Sequence, residues 1–158
     1  MKTLSHLNEK SEPILVDVSN KATTKRSATA QSTVSLPAEA FEKLRGNCFQ
    51  SKKGAVFQTA IIAGILAAKK TGELIPLCHP LFLENCEVLI GFNSSNHIIV
   101  SCTATTTGKT GVEMEALTGA SVAALTIYDM CKSLTHDIVI SETKLLAKTG
   151  GKHDFVNT

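Results

Sequence analysis

Two stretches of the chain alternate small or apolar residues with polar ones, which is the pattern of strands with one buried face. They span residues 28–36 and 138–147. Two further apolar stretches, 88–92 and 97–107, flank an Asn-Ser-Ser-Asn segment that suits a hairpin turn. A shorter apolar run over 14–18 predicts a fifth strand.

End signals and apolar spacing predict three helices, over residues 37–45, 55–70 and 112–132. Pro37 and Gly46 suit the start and the stop of the first helix. Small side chains in the second helix allow it to lie close against a sheet or another helix. The third helix is apolar over most of its length, with Gly119 as its one poor helix former, so we expect it to be buried on nearly all sides.

The element order is strand, strand, helix, helix, strand, strand, helix, strand. A central hairpin between two helices favours an α+β sandwich, with helices on one face of a mainly antiparallel sheet. No internal repeat or linker divides the sequence. We therefore expect one domain over residues 1–158, with 1–12 flexible and 150–158 a loose tail.

The composition of the chain excludes several classes of function. The 158 residues are 43% hydrophobic and 19% charged, which suits a globular domain. A net charge of +2 and 4% aromatic residues disfavour binding of nucleic acid by bulk charge or base stacking. The longest apolar run, 60–68, is well short of the ~20 residues that span a bilayer. No apolar stretch follows Lys2, so we expect no secretory signal.

The cysteines are odd in number and form no C-x-x-C pair: Cys48, Cys78, Cys86, Cys102 and Cys131. Disulfide-rich scaffolds and structural zinc sites both have cysteines that are closer together in the sequence than these. We therefore expect reduced thiols in a cytoplasmic protein, most of them acting as small core residues, and no metal site.

Two local motifs contain residues of the kind found in binding or catalytic sites. The Gly-Lys-Thr sequence at 108–110 lacks the glycine that a phosphate-binding loop has five positions earlier, where Thr103 stands. Its turn either binds an anion through free N–H groups or is a polar cap for the next helix. Residues 77–79 lie between Pro76 and Pro80, which predicts an extended, stiff connector. The thiol and imidazole there are either restrained site residues or a buried Cys and a backbone-bonded His.

Both ends of the long helix carry charged residues. Glu113 and Glu115 lie in its first turn, and Asp129 and Lys132 lie in its last. Asp129 is unusual because a carboxylate is unfavourable at the negative end of the helix dipole. Glu115 and Asp129 stand about 21 Å apart along the axis, at 1.5 Å per residue. If both serve one site, the ends of helices from different subunits meet there.

Seven ordered segments are spread over nearly the whole chain. They are VDVS at 16–19 followed by Lys21 and Arg26, KG at 53–54, IAGI at 62–65, LIPLCHPL at 74–81, TGKTGVEMEALT at 107–118, SVAALTIYDMCK at 121–132 and LLAKTGGK at 145–152. Together they resemble the cyclic pyranopterin monophosphate synthase family, which acts second in molybdenum cofactor biosynthesis. One departure is Ala55, where the family commonly has Asp after Lys-Gly.

The resemblance implies a ferredoxin-like α+β subunit in a homohexamer, a trimer of dimers, with active sites at subunit contacts. It implies a lyase that converts 3′,8-cyclo-7,8-dihydroguanosine 5′-triphosphate to cyclic pyranopterin monophosphate and pyrophosphate. No redox cofactor is implied, because the radical step belongs to the preceding enzyme, although Mg²⁺ could accompany the phosphates. The expected partner is this small molecule, with neither nucleic acid nor membrane.

Residue types at the matched positions suit that reaction. Ring opening and closure require proton transfers, and Asp129 and Lys132, three residues apart on one helix face, form a candidate acid/base pair. Lys53 is the candidate second acid/base lysine, because desolvation lowers the pKa of a lysine toward neutrality.

The resemblance also implies two sets of substrate-binding residues. The matched binding segments contain Leu77, Cys78, His79, Glu113, Met114 and Glu115. We expect the backbone and imidazole of the first segment at the sugar or phosphates, and the second segment at the guanine edge. The cations available for the phosphates are Lys21, Arg26, Lys69 and Lys148.

A function of a different class stays open. A ferredoxin-like domain can also be a non-catalytic module that binds a nucleotide or pterin, since a fold does not determine a function. Such a module would not require Lys53, Asp129 and Lys132 together. Alanine at any of the three positions separates the two hypotheses, because only a catalyst would lose its activity.

Overall fold

The computed structural model describes residue 10 and residues 12–157. The long strands in this part of the chain are β1 (Thr24–Ser35), β4 (Asn85–Phe92), β5 (Ile98–Gly108) and β6 (Val139–Thr149). The short strands are β2 (Gln50–Ser51), β3 (Gly54–Ala55) and β7 (Phe155–Val156). The helices are α1 (Ala38–Gly46), α2 (Val56–Lys69), α3 (Thr71–Leu74) and α4 (Glu113–Cys131). The predicted flexible arm, 1–12, lies outside the described residues except for Lys10 and Glu12.

Five of these strands form one antiparallel sheet in the order β4-β5-β1-β6-β7. Helix α4 packs across β1, β5 and β6, and α2 packs against β4 and α4. The four long strands and two long helices follow the order β1-α2-β4-β5-α4-β6, with the strands arranged in space as second, third, first and fourth. The predicted α+β class is therefore confirmed, and the arrangement is consistent with a ferredoxin-like fold.

The core lies between the sheet and α4. Along β5 the side chains of Ile98, Val100, Cys102 and Ala104 are buried and alternate with partly exposed ones, as a period of two predicts. One face of α4 is fully buried against this surface. The exposed residues of α4 are Met114, Leu125 and Asp129.

Gly119 allows α4 to approach both α2 and β5 closely. A Cβ atom on Gly119 would lie 2.5 Å from Cys102 Sγ and 3.2 Å from the carbonyl oxygen of Gly64 in α2. A Cβ on Gly64 would lie 2.9 Å from the carbonyl oxygen of Gly119. The poor helix former thus stands where the two helices touch, which fixes α4 on the sheet.

Both ends of the described chain differ from the prediction. Residues 14–18 form no strand; the carbonyl oxygen of Val16 instead accepts a hydrogen bond from His79 Nε2 at 2.7 Å. In the predicted loose tail, β7 pairs with β6, and the Asn157 N–H donates to the carbonyl oxygen of Leu146 at 2.7 Å. Each prediction was wrong because tertiary partners decided where these backbone groups bond.

Short local elements also differ from the prediction. Residues Pro76 and Leu77 form the centre of a turn, closed by a 3.1 Å hydrogen bond from the Cys78 N–H to the Ile75 carbonyl oxygen. The expected extended connector was wrong here, because the φ angle of proline also suits the second position of a turn. The prediction also lacked α3 and the β2–β3 hairpin.

Candidate active site

Asp129 holds two lysine side chains at the C-terminal end of α4. Its Oδ1 lies 2.8 Å from Lys132 Nζ, and its Oδ2 lies 2.6 Å from Lys53 Nζ. Lys53 Nζ also donates a 3.1 Å hydrogen bond to the carbonyl oxygen of Asp129, which a helix end leaves without a partner in the helix. The three residues predicted to be catalytic therefore lie together, and we call them the C-terminal cluster.

These contacts determine the charges in the C-terminal cluster. Hydrogen bonds from Lys132 and then Lys53 lower the pKa of Asp129 to about 2. The hydrogen bond to Asp129 raises the pKa of Lys132. At neutral pH Asp129 is thus ionised and Lys132 protonated, and the neighbouring cations offset the unfavourable position of a carboxylate at a helix C-terminus.

Lys53 is held near the tip of the β2–β3 hairpin. Its N–H donates to Ser51 Oγ at 3.1 Å, and Gly54 follows with φ +113°, a conformation that favours glycine. The side chains in the C-terminal cluster are 49–51% exposed. The desolvation predicted for Lys53 is therefore not present in the subunit itself.

Three adjoining hollows surround the other end of α4. The apolar hollow, about 660 Å³, extends from α2 and α3 to Glu115. The narrow hollow, about 130 Å³, shares Leu81 and Glu115 with the apolar hollow. The cationic hollow, about 240 Å³, shares Thr110, Gly111 and Glu113 with the narrow hollow. All six residues of the predicted binding segments line the narrow hollow: Leu77, Cys78, His79, Glu113, Met114 and Glu115.

Five of the eleven residues that line the cationic hollow are basic. Three of them belong to the predicted phosphate-binding set: Lys21, Arg26 and Lys148. Lys109 and Lys152 also line the hollow, although the sequence prediction did not assign them to substrate. A signal was present for both, since Lys109 belongs to the Gly-Lys-Thr-Gly turn and Lys152 to the matched segment at 145–152.

Hydrogen bonds to the backbone orient two of these cations. Arg26 donates from Nε to the carbonyl oxygen of Gly108 at 3.2 Å and from Nη2 to that of Lys109 at 3.4 Å. Lys109 Nζ donates to the carbonyl oxygen of Ser19 at 2.6 Å. Among the described residues lining the hollow, Glu113 is the one carboxylate, so positive charge is in excess.

Two carboxyl groups in the first turn of α4 are shifted in opposite directions. Burial raises the pKa of Glu115, which is 4% exposed, and the charge of Glu113 raises it further. Burial also raises the pKa of Glu113, but the Lys148 Nζ at 2.8 Å and the charge of Arg26 outweigh it and leave the pKa lowered. Such divergent carboxyl groups are typical of functional sites.

Cys78 and His79 both face the narrow hollow. Burial raises the pKa of the Cys78 thiol, and the charge of Glu115 adds to the rise. The His79 Nε2 donates a 2.7 Å hydrogen bond to the Val16 carbonyl oxygen, so Nε2 carries a proton. The backbone bond therefore orients an imidazole that lies at the hollow, as one of the two alternatives expects. Cys78 is only partly buried, and a role of these two residues in a site stays a prediction.

Lys69 stands apart from the other predicted phosphate-binding cations. It lines the apolar hollow together with Glu73, Glu84 and Glu115. The structure thus separates Lys69 from the cationic hollow and places it nearer the predicted ring-binding residues.

All five cysteines are free. Cys102 and Cys131 are buried in the core and Cys86 packs against it, whereas Cys48 is exposed. Within the described residues, no group of three or more His, Cys, Asp or Glu side chains is placed to hold a metal ion. Over the same part of the chain, none of the helices combines the length and the apolar character needed to cross a membrane.

The hollows and the C-terminal cluster lie at opposite ends of one continuous helix, Glu113–Cys131. From Glu115 to Asp129 the helix rises about 21 Å. A small ligand bound in the hollows of one chain therefore does not reach the C-terminal cluster of that chain.

Comparison with known proteins identifies relatives over nearly the whole chain. The MoaC family model matches residues 15–151. A cyclic pyranopterin monophosphate synthase from Xanthomonas axonopodis pv. citri is 53% identical over 151 residues, which cover 96% of this chain and 92% of the relative. A molybdenum cofactor biosynthesis bifunctional protein from Synechocystis is 49% identical over 158 residues, which cover 98% of this chain and 46% of the relative. On this evidence the chain belongs to the MoaC family.

Proposed function

We propose that the chain is a cyclic pyranopterin monophosphate synthase of molybdenum cofactor biosynthesis. It converts 3′,8-cyclo-7,8-dihydroguanosine 5′-triphosphate to cyclic pyranopterin monophosphate and releases pyrophosphate, as a phosphorus–oxygen lyase of the cytoplasm. The observation that carries the proposal is the 53% identity to a relative of that name over 96% of this chain.

The C-terminal cluster supports the proton transfers of this reaction. Lys132 and Lys53 act as proton donors, each with its Nζ within 2.8 Å of the Asp129 carboxylate. Because the pKa of Asp129 is about 2, this carboxylate is a weak base at neutral pH and serves to orient the two ammonium groups. In this proposal Lys132 donates the proton and Asp129 orients it, which refines the Asp129–Lys132 acid/base pair expected from the sequence.

The hollows at the start of α4 suit the two parts of the substrate. The narrow and apolar hollows bind the guanine-derived ring, with Glu115 available to its N–H groups. The cationic hollow binds the phosphates through Lys21, Arg26 and Lys148, joined by Lys109 and Lys152. No redox cofactor takes part, since ring rearrangement and phosphate cyclisation transfer no electrons to or from the substrate. Mg²⁺ accompanying the phosphates would add to the positive charge of the same hollow.

Separation of the two ends of α4 supports a site shared between subunits. We place the hollows of one chain against the C-terminal cluster of a neighbour, in a homohexamer built as a trimer of dimers. Large apolar side chains left exposed on one subunit are consistent with subunit contacts, among them Phe82 at 95% and Ile62 at 59% exposure.

Mass spectrometry of the purified protein mixed with the cyclised GTP intermediate tests the proposed reaction. Cyclic pyranopterin monophosphate and pyrophosphate should form in equal amounts. Binding of the intermediate without product would favour the non-catalytic module. Product formation by a stable lone subunit would contradict the shared site while leaving the reaction intact.

A further inference from the structure

The hairpin that carries Lys53 begins at two residues in the left-handed backbone region. Cys48 has φ +51° and Phe49 has φ +55°. Residues with a Cβ atom are unfavourable in this region and persist there only where their surroundings hold them. The contacts of Phe49 therefore decide whether the hairpin keeps its position.

Three other phenylalanine rings hold the Phe49 ring. It stacks on Phe57 with ring centroids 4.6 Å apart and an angle of 25°, and its centroid lies 5.2 Å from that of Phe92. The ring of the buried Phe41 meets it edge-on, with centroids 6.2 Å apart and an angle of 67°. These rings belong to α2, β4 and α1, so three separate elements clamp one side chain at the base of the hairpin.

Both backbone groups of Phe49 are also bonded to the frame of the fold. Its N–H donates to the carbonyl oxygen of Leu44 in α1 at 2.9 Å, and its carbonyl oxygen accepts from the Val56 N–H at the start of α2 at 3.0 Å. Between Phe49 and Val56 the chain makes the β2–β3 hairpin, with Gln50 opposite Ala55. Phe49 thus closes the base of the hairpin, and Lys53 lies near the tip.

We propose that Phe49 is a positioning residue for Lys53. Its ring supplies the packing that keeps residues 48 and 49 in the left-handed region, and the hairpin then presents Lys53 Nζ at 2.6 Å from Asp129 Oδ2. Without the ring, the hairpin shifts and the Lys53–Asp129 contact opens. The effect on turnover rests on the proposed function, whereas the effect on the contact does not.

Competitive acetylation of lysines, measured by mass spectrometry, tests the contact independently of turnover. Lys52, the exposed neighbour on the same hairpin, is the internal reference. Phe49→Ala should raise the reactivity of Lys53 relative to Lys52 at least fivefold. Phe49→Gly should also raise this reactivity, because glycine leaves the left-handed region as readily as it enters it and no ring then holds the hairpin. Phe49→Tyr, which keeps the stacking face, should retain the wild-type ratio.

Turnover of the cyclised GTP intermediate gives the second readout. We expect kcat to fall about tenfold in Phe49→Ala and Phe49→Gly, with KM within twofold, because the binding hollows lie at the other end of α4. The matched control is Phe41→Leu, which keeps an apolar side chain in place of the most distant of the three rings and leaves the closer Phe57 and Phe92 rings against Phe49. In this variant both the ratio of Lys53 to Lys52 reactivity and kcat should stay within twofold of the wild-type values.

Each outcome decides the proposal. An unchanged ratio of Lys53 to Lys52 reactivity in folded Phe49→Gly would overturn the proposal. Effects in Phe41→Leu as large as those in Phe49→Ala would also overturn it, because they would show a general loosening of the phenylalanine cluster. A raised ratio with unchanged kcat supports the positioning and contradicts the catalytic role of Lys53 instead. Phe49→Leu keeps apolar volume without a stacking face, so it should give a smaller rise and replaces alanine if that variant does not fold.

Discussion

The two ends of α4 contrast in burial and in the way their carboxyl groups are paired. At the start, Glu115 is 4% exposed, and Glu113 contacts Lys148 inside a hollow. At the end, Asp129 and both of its lysines are about half exposed. Residues that line an enclosed hollow can surround a ligand. The exposed C-terminal cluster can instead act on a ligand that is bound by another protein surface. Under the proposed function, binding belongs to the start of α4 and proton transfer to its end, so variants at each end should affect different kinetic constants.

The largest effect should follow from loss of the C-terminal cluster. We expect Asp129→Ala and Lys132→Ala each to lower kcat by about 10³-fold, within the range of positioned acid/base groups. Product formation by mass spectrometry measures the loss, and size-exclusion chromatography checks that the oligomer persists. Glu42→Ala is the matched control, because Glu42 and Arg45 form a pair of the same i,i+3 spacing at 2.6 Å and similar exposure. Near-normal turnover in Asp129→Ala would remove the proposed role.

A change in the middle of α4 should affect both ends together. In Gly119→Val the new side chain collides with Cys102 Sγ and with α2, so we expect the free energy of unfolding to fall by about 3 kcal/mol. Urea denaturation measures the change. Gly91→Val is the control, since a Cβ on Gly91 meets nothing within 4 Å. Equal stability of the two variants would show that the close approach of the helices is not required.

A change at the start of α4 should weaken binding without slowing the chemical step. Lys148→Met removes a cation from the cationic hollow, so we expect KM to rise about tenfold, which corresponds to 1.4 kcal/mol, with kcat within threefold. Steady-state kinetics separates the two constants. Lys144→Met is a control on the same strand, because Lys144 pairs with the exposed Glu142 at 3.7 Å. A fall in kcat as large as the rise in KM would contradict the expectation that the start of α4 affects binding and not the chemical step.

The smallest effects should come from the opposite pH dependence of the two carboxyl groups. Because Lys132 and Lys53 lower the pKa of Asp129 from 3.8 to about 2, its contribution to stability is present above pH 3.8 and is lost as pH falls through 2. Burial raises the pKa of Glu115 from 4.5, so its contribution is full below pH 4.5 and is lost as pH rises through the raised value.

Chemical denaturation across pH separates these two contributions. Asp129→Asn should be less stable than wild type at pH 5 to 7, with the difference vanishing near pH 2. Glu115→Gln should be more stable than wild type at pH 7, with the difference vanishing below pH 4.5. Differences of the same sign at neutral pH would contradict the contrast in burial.

Signals in the local sequence predicted the ends of the helices correctly. The ends of the strands depend on pairing with neighbouring strands, and there the prediction was less accurate. Each predicted helix agrees with the structure within one residue at both ends, because prolines, glycines and apolar spacing act within a few residues. Strand β1 begins at Thr24 rather than at residue 28, since its polar first residues are held by pairing with β5 and not by burial. The strand expected over 14–18 and the tail that became β7 are errors of the same kind.

Motifs in the sequence named the candidate site residues, and the family resemblance grouped Lys53 with Asp129 and Lys132, but neither showed the contacts that bring these side chains together. Spacing along α4 placed Asp129 beside Lys132 and separated both from Glu115, because a helix has a constant rise. Nothing local showed that Lys53 would reach Asp129 from 76 residues away, or that Lys69 would lie apart from Arg26. These neighbours are set by the way the hairpin and α2 pack.

The order of the four long strands and three long helices, the helix ends and the unusual aspartate at a helix C-terminus follow from the amino-acid sequence alone, because they depend on interactions between residues close together in the chain. The tertiary structure alone decided which cations share a hollow, which carboxyl group is buried and which ring holds the hairpin of Lys53. Those properties depend on contacts between distant segments, where packing and burial determine each side chain's neighbours and charge.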